Sequence, residues 1–141
     1  MSGDALYHDA LVELARAATG AGRLEAPAAS ATRDNPLCGD RVSFEVRLEG
    51  GRVAALAHRV RGCLLCQAAA SFLGRAAPGV TLRELRLARD ALAGLLCGTP
   101  LPAGSPAGLE VFSPVGSVKS RHDCVLLPFD ALADAVAGAE S

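Results

Sequence analysis

The stretch RVSFEVRLEGGRVAALAHRVRGC, residues 41–63, decides the fold. From Arg41 the chain alternates: Val42, Phe44, Val46 and Leu48 fall on one face, and Ser43, Glu45, Arg47 and Glu49 on the other. Strand side chains repeat every second residue, so this pattern predicts a half-buried strand. Glu49-Gly50-Gly51-Arg52 is a tight-turn sequence, and Val53 to Arg61 resumes with strand character, which predicts an antiparallel hairpin. A hairpin returns the chain to its starting end. Cys38 precedes the first strand and Cys63 follows the second, so both thiols are expected at one end of the sheet although 25 positions separate them.

Immediately upstream, Asn35-Pro36-Leu37-Cys38-Gly39-Asp40 sets a thiol and a carboxylate two residues apart on a turn. Pro36 fixes its own φ and biases Asn35 toward an extended conformation, while Gly39 can take positive φ without a Cβ penalty. A thiolate and a carboxylate aimed at one point suit a borderline-soft divalent cation such as zinc. Taken alone, the fragment also reads as a polar turn with a buried cysteine. Residues 21–35 are rich in Ala, Pro, Gly and Thr without a period, which predicts a linker or mobile loop. Before it, Tyr7, Leu11, Leu14 or Ala15, and Ala18 recur at helical spacing, with Asp4 as N-cap and Gly20 as the stop.

Downstream, Gly62 breaks the strand, and Leu64 to Leu73 reads as a buried helix ended by Ala76-Ala77-Pro78-Gly79. Cys63 then stands at a helix N-terminus, where orphan N–H groups and the dipole favour a thiolate. Thr81-Leu82-Arg83-Glu84 is a capping box opening a helix that carries Leu85, Ala88, Leu92 and Leu95 on one face until Gly98 and Pro100. A Pro/Gly-rich loop over 99–108 leads to a short helix around Leu109 and Phe112. Val125, Leu126, Phe129, Leu132, Ala133 and Val136 mark a last helix; Pro128 is tolerated in a first turn, which puts the helix start close to Cys124.

Three of the five cysteines therefore stand where elements begin or end: Cys38, Cys63 and Cys124. With Asp40 they make four donors, the number a tetrahedral zinc takes, and the net negative charge of that set is offset by Arg61 and Arg121. The carboxylate is the harder donor, so Asp40 is the ligand most easily displaced.

Length and composition narrow the class. A chain of 141 residues makes one domain able to bury a core. With 14 Lys+Arg against 15 Asp+Glu, no Trp and one Tyr, there is neither a basic stripe nor a stacking platform for nucleic acid. Asp4, Asp9 and Glu13 argue against a signal peptide, and no apolar run approaches the roughly 18 residues of a membrane span. A cytoplasmic protein is expected, and in a reducing compartment an odd set of five cysteines reads as ligands or reactive thiols.

Asn35-Pro-Leu-Cys38-Gly-Asp40, Arg61-Gly62-Cys63 with Gln67-Ala68-Ala69-Ala70-Ser71, and Arg121-His-Asp-Cys124-Val-Leu-Leu-Pro-Phe-Asp-Ala-Leu resemble, in order, the three signature segments of the IscU/SufU/NifU-type iron–sulfur cluster scaffolds. The resemblance covers about Asn35 to Val136. It implies an α+β fold, a small antiparallel sheet packed with several helices, as a single domain over 1–141 whose first 34 residues are an N-terminal helix and mobile linker. It implies a monomer that accepts sulfur from a cysteine desulfurase, holds zinc or a transient iron–sulfur cluster, and serves apoprotein cluster acceptors. Cys38, Cys63 and Cys124 are then the sulfur- or iron-binding thiols, with Asp40 the labile fourth ligand. The 61 positions between Cys63 and Cys124, and Arg121 three residues before Cys124, lie nearer the SufU type. That type implies bound zinc and Cys38 as sulfur acceptor; the IscU type implies Cys124.

Cys66 departs from the family pattern and reads as a spare ligand, a resolving thiol for a persulfide on Cys63, or a packed core residue. Cys97, near a helix end, reads as core. His58 reads as a satisfied or exposed histidine, His122 as that or as an alternative ligand or proton relay, and Asp123 as an exposed carboxylate or a ligand in place of the IscU-type histidine. The rival reading is a thioredoxin-like thiol–disulfide oxidoreductase using Cys63 and Cys66.

Overall fold

Val42, Phe44 and Val46 are completely buried, so the alternation of residues 41–49 is realised with one face wholly in the core. The computed structural model describes residues 9–37 and 39–140. Helix α1 (Asp9–Ala17) is followed by strands β1 (Ala29–Asn35), β2 (Asp40–Glu49) and β3 (Arg52–Arg61). Helices α2 (Leu64–Ala76) and α3 (Leu82–Leu96) come next, then 3-10 turns over Leu109–Ser117 and Lys119–Arg121, and finally α4 (His122–Glu140). The three strands form an antiparallel sheet in the order β1-β2-β3. Helix α4 packs on β1 and β2, α2 on β3 and α4, α1 on α2, and α3 on α4. This is an α+β fold, as expected.

The β2–β3 hairpin turns at Gly50 and Gly51, both with positive φ (61° and 76°), as a tight turn of L-residues would not allow cheaply. A register shift between Arg47 and Leu48 bends the outer end. The capping box forms in full: the Thr81 hydroxyl accepts from the Glu84 N–H at 3.1 Å, and Glu84 Oε1 accepts from the Thr81 N–H at 3.0 Å. Leu109, Phe112 and Val115 are buried at spacings of three, the period of a 3-10 rather than an α-helix.

Three expectations need correction. Residues 29–35 form strand β1 rather than continuing a linker. The side chains facing the core there are Ala29 and Ala31, which bury so little area that the periodic signal is faint. What holds the strand is its backbone ladder with β2 and a fork in which Arg33 Nε and Nη2 donate to Asp134 of α4 at 2.6 and 3.2 Å. Pro128 is not in the first turn of α4: it is the seventh residue, and having no N–H it cannot serve the Cys124 carbonyl four residues back. Burial of Leu126, Leu127, Pro128 and Phe129 offsets that lost bond. Cys97 is exposed, because it is the C-cap of α3 and follows the last core-facing position, Leu96.

A sheet meander precedes Cys63-Leu-Leu-Cys66, where a thioredoxin-like fold would need a βαβ unit, so the oxidoreductase fold is excluded. The expected starts of α1 at Asp4 and Tyr7 lie outside the described residues, as does Cys38.

Candidate metal and sulfur site

Asp40 is in phase with Val42, Phe44 and Val46, so the β2 period turns its carboxylate inward at the strand's first residue, where it is 3 % exposed. Its position is set by the turn before it. Asn35 Oδ1 accepts from the Leu37 N–H at 3.1 Å and the Asn35 carbonyl accepts from the Gly39 N–H at 2.8 Å; Gly39 takes φ 74° as expected. Asn35 and Asp40 then pair as the closing residues of the β1–β2 ladder.

At the same end of the sheet, β3 runs out through Gly62 into α2. Cys63 is the N-cap of α2, in extended conformation (φ −69°, ψ 169°), as expected for a thiol at a helix N-terminus. The Asp40 carboxylate meets it there: Oδ1 accepts the Cys63 N–H at 3.1 Å and the Cys63 Sγ lies 3.8 Å from Oδ2. The site at the N-terminus of a 13-residue helix favours that negative charge. Gly62 makes the approach possible, since a Cβ there would lie 2.7 Å from Asp40 Oδ1. Gln67 Nε2 donates to the Gly62 carbonyl at 3.0 Å and fixes the peptide from below.

Cys124 enters from the first turn of α4, fully buried. The ligand atoms of Asp40, Cys63 and Cys124 all lie within 4.8 Å of one another. Donors on a tetrahedral zinc stand about 3.7 Å apart when both are thiolates, so this trio fits such an ion after a small contraction. Burial pushes the Cys124 thiol well above its ordinary range, and the negative charge at Cys63 and Asp40 pushes it further. A divalent ion held among these donors would take the place of the Cys124 proton.

The other expected residues divide around this trio. Arg61 is exposed at the end of β3 and Arg121 half-buried two residues before the first-turn Asp123, so both chain neighbourhoods of the thiols are basic. His122 Nε2 donates to the Gly116 carbonyl at 3.1 Å, which leaves Nδ1 as its one nitrogen open to a metal. Asp123 is exposed, as read from the sequence. His58 is 4 % exposed; its Nε2 donates to the Thr19 carbonyl at 2.8 Å and its ring packs 5.4 Å from that of Phe44. Its Nδ1 has no partner among the described residues. Sequence reasoning took Gly62 only for a strand breaker and missed Asn35 as the residue that shapes the turn; the legible signal was the shared phase of Asp40 with the core face of β2.

Residues 6–138 match the family model described as NifU-like N terminal domain. An iron-sulfur cluster assembly scaffold protein IscU of Streptococcus pyogenes serotype M1 is 27 % identical over 104 residues, 73 % of this chain and 65 % of that protein. The scaffold protein IscU 1 of Archaeoglobus fulgidus is 28 % identical over 96 residues, 67 % of this chain and 63 % of that protein. The match thus spans just under two thirds of these relatives. A nitrogen-fixing NifU-like protein (N-terminal) from Brucella abortus superposes with a TM-score of 0.90 at 38 % identity, covering 97 % of this chain and 96 % of that one. A SUF-system scaffold protein of Fervidobacterium islandicum AW-1 superposes at 0.87 with 20 % identity, over 96 % of this chain and 99 % of that one, a likeness of fold alone. The similarities run across NifU-, IscU- and SufU-named proteins and do not single out the SufU type.

Proposed function

The chain belongs to the NifU-like N-terminal domain family, and on that premise we propose that it is an iron–sulfur cluster assembly scaffold. It accepts sulfane sulfur from a cysteine desulfurase, holds the growing cluster among Cys38, Cys63, Cys124 and Asp40, and passes it to apoproteins. The observation that carries this is the convergence of Asp40, Cys63 and Cys124 from three separate elements to within 4.8 Å. Asp40 and Cys124 are buried and Cys63 half-buried, and gathering such polar donors at one point is costly unless an ion shares them.

The roles follow from donor chemistry. Cys38, Cys63 and Cys124 are soft donors that hold iron or zinc; Asp40 is the hard donor that lets go first. Zinc held by these residues would supply charge that keeps the thiols deprotonated before sulfur arrives. Asp40 leaves without losing its place, since the Cys63 N–H still holds it. Cys38, between Asn35 and Asp40 in the sequence, is the first sulfur acceptor. Arg61 and Arg121 temper the negative charge of the set. The chain works as a monomer in the cytoplasm; among the described residues no helix is long and apolar enough to cross a membrane.

Metal analysis of the purified chain tests the ligand set. About one zinc per chain is expected, lost in Cys38→Ala or Cys124→Ala and kept in Cys66→Ala. Loss only in a Cys63→Ala, Cys66→Ala double variant overturns the ligand set. Incubation with a cysteine desulfurase and cysteine tests the acceptor role: intact mass spectrometry is expected to show sulfur added to a site thiol, and no addition on any cysteine overturns it.

A further inference from the structure

Cys66 lies one helical turn beyond Cys63 and is completely buried. Cys63-Leu-Leu-Cys66 thus sets two thiols at the N-cap and the third residue of one helix, the spacing of a redox pair. We infer that Cys66 is a resolving thiol that reduces a persulfide on Cys63 and releases its outer sulfur as sulfide. The step rests on the sulfur-acceptor reading above, since sulfur must first reach Cys63, directly or by exchange from another site thiol.

The reaction balances within the chain. The Cys66 sulfur attacks the inner sulfur of the Cys63 persulfide, forming the Cys63–Cys66 disulfide and breaking the bond to the outer sulfur. That sulfur takes the electron pair and the Cys66 proton and departs as hydrogen sulfide. One persulfide and one thiol become one disulfide and one sulfide; the outer sulfur is reduced by two electrons and the two cysteines are oxidised. Sulfur delivered by a desulfurase is at the level of a persulfide, whereas a cluster contains sulfide, so this step supplies the missing electrons where the iron is held. A dithiol reductant resets the pair.

The geometry suits it. Side chains three apart on a helix have Cβ atoms about 5–6 Å apart, and a disulfide needs about 3.5–4.5 Å. Cys63 is the N-cap, outside the helical ladder and in extended conformation, so its Cβ is not held at the helical spacing. Its side chain can swing from Asp40 toward Cys66 while its carbonyl keeps the Gln67 N–H bond at 3.1 Å. Burial shields Cys66 from outside electrophiles, and the half-buried Cys63 offers the sulfide a way out.

The test loads the reduced 141-residue chain anaerobically with sulfur in two parallel arms, one from a desulfurase and cysteine and one from glutathione persulfide. Sulfide release, intact mass and disulfide mapping are read without added reductant. The unsubstituted chain and Cys97→Ala are expected to release one sulfide per loaded chain and to carry a Cys63–Cys66 disulfide. Cys66→Ala is expected to keep the persulfide on Cys63 and release sulfide at least about tenfold more slowly. Its circular dichroism and zinc content show that it is folded, and Cys66→Val serves if it is not. Equal release from the Cys66 variant, or a disulfide joining Cys63 to Cys124, overturns the inference, as does absence of a Cys63 persulfide in both arms. Loading by glutathione persulfide but not by the desulfurase overturns the acceptor reading and leaves the resolving step standing.

Discussion

Asp40 Oδ1 accepts the backbone N–H of Cys63 at 3.1 Å, a bond between the first residue of one strand and the residue that caps the next helix. It ties the carboxylate of Asp40 to the residue that carries the Cys63 thiol whether or not an ion lies between them. The bond exists because Gly62 has no Cβ.

Gly62→Ala is therefore expected to weaken the metal site before it weakens the fold. The new methyl would sit 2.7 Å from Asp40 Oδ1 and must push the carboxylate aside. Zinc affinity should fall about 10–100-fold, the usual loss when the partner of a ligand is disturbed. Competition against a chromophoric chelator measures it; unchanged affinity would show that Asp40 is not held by this contact.

Two glycines in helices should behave oppositely. At Gly74 of α2 a Cβ would come within 1.8 Å of the Thr19 carbonyl oxygen, so Gly74→Ala must dislodge the chain that follows α1 and should cost about 3 kcal/mol or more. At Gly138 of α4 a Cβ would meet only the Ala29 methyl at 3.6 Å, so Gly138→Ala should stabilise by about 0.5–1 kcal/mol. Denaturant unfolding of both variants separates close packing from helix propensity; similar shifts in one direction would contradict the packing described.

His58 makes stability depend on pH. Burial holds the folded imidazole below its ordinary pKa, partly countered by its bond to Thr19. The unfolded chain thus takes up a proton near pH 6.5 that the folded one refuses. Unfolding free energy should be level above that pH and fall as pH drops from there toward the depressed folded value, because the unfolded state binds more protons in that window. In His58→Gln, which can still donate to Thr19, this fall should shrink. An unchanged pH slope in the variant would assign the loss to other groups.

Thiol reactivity should follow exposure. Among the four described cysteines, Cys97 is exposed, Cys63 intermediate, and Cys66 and Cys124 buried. Alkylation of the native chain should label Cys97 first and Cys66 and Cys124 last, read by peptide mass spectrometry over time. Early labelling of Cys66 would contradict its burial.

What was legible followed from strong local signals. The period-two run of Val42, Phe44 and Val46, the Gly50-Gly51 turn and the Thr81–Glu84 box each act over a few residues, and each forms as read. The hairpin also carries a long-range consequence: it brings the residues before β2 to those after β3, and Asp40 meets Cys63 there. The sequence alone was thus enough for the α+β class and for the convergence of two donors at one sheet end.

Other features needed the tertiary structure, because their causes lie in distant parts of the chain. Strand β1 presents only Ala29 and Ala31 to the core and is held by β2 and by Asp134, 101 positions from Arg33. The helix α4 continues through Pro128 because its neighbours bury it, against its local preference. Gly62 reads as punctuation until the Asp40 oxygen is found where its Cβ would be. Cys124 joins the site only because α4 lies across β1 and β2, a packing that no periodicity within α4 specifies. Local periodicity determined which elements form; the burial of one against another decided which donors share a centre.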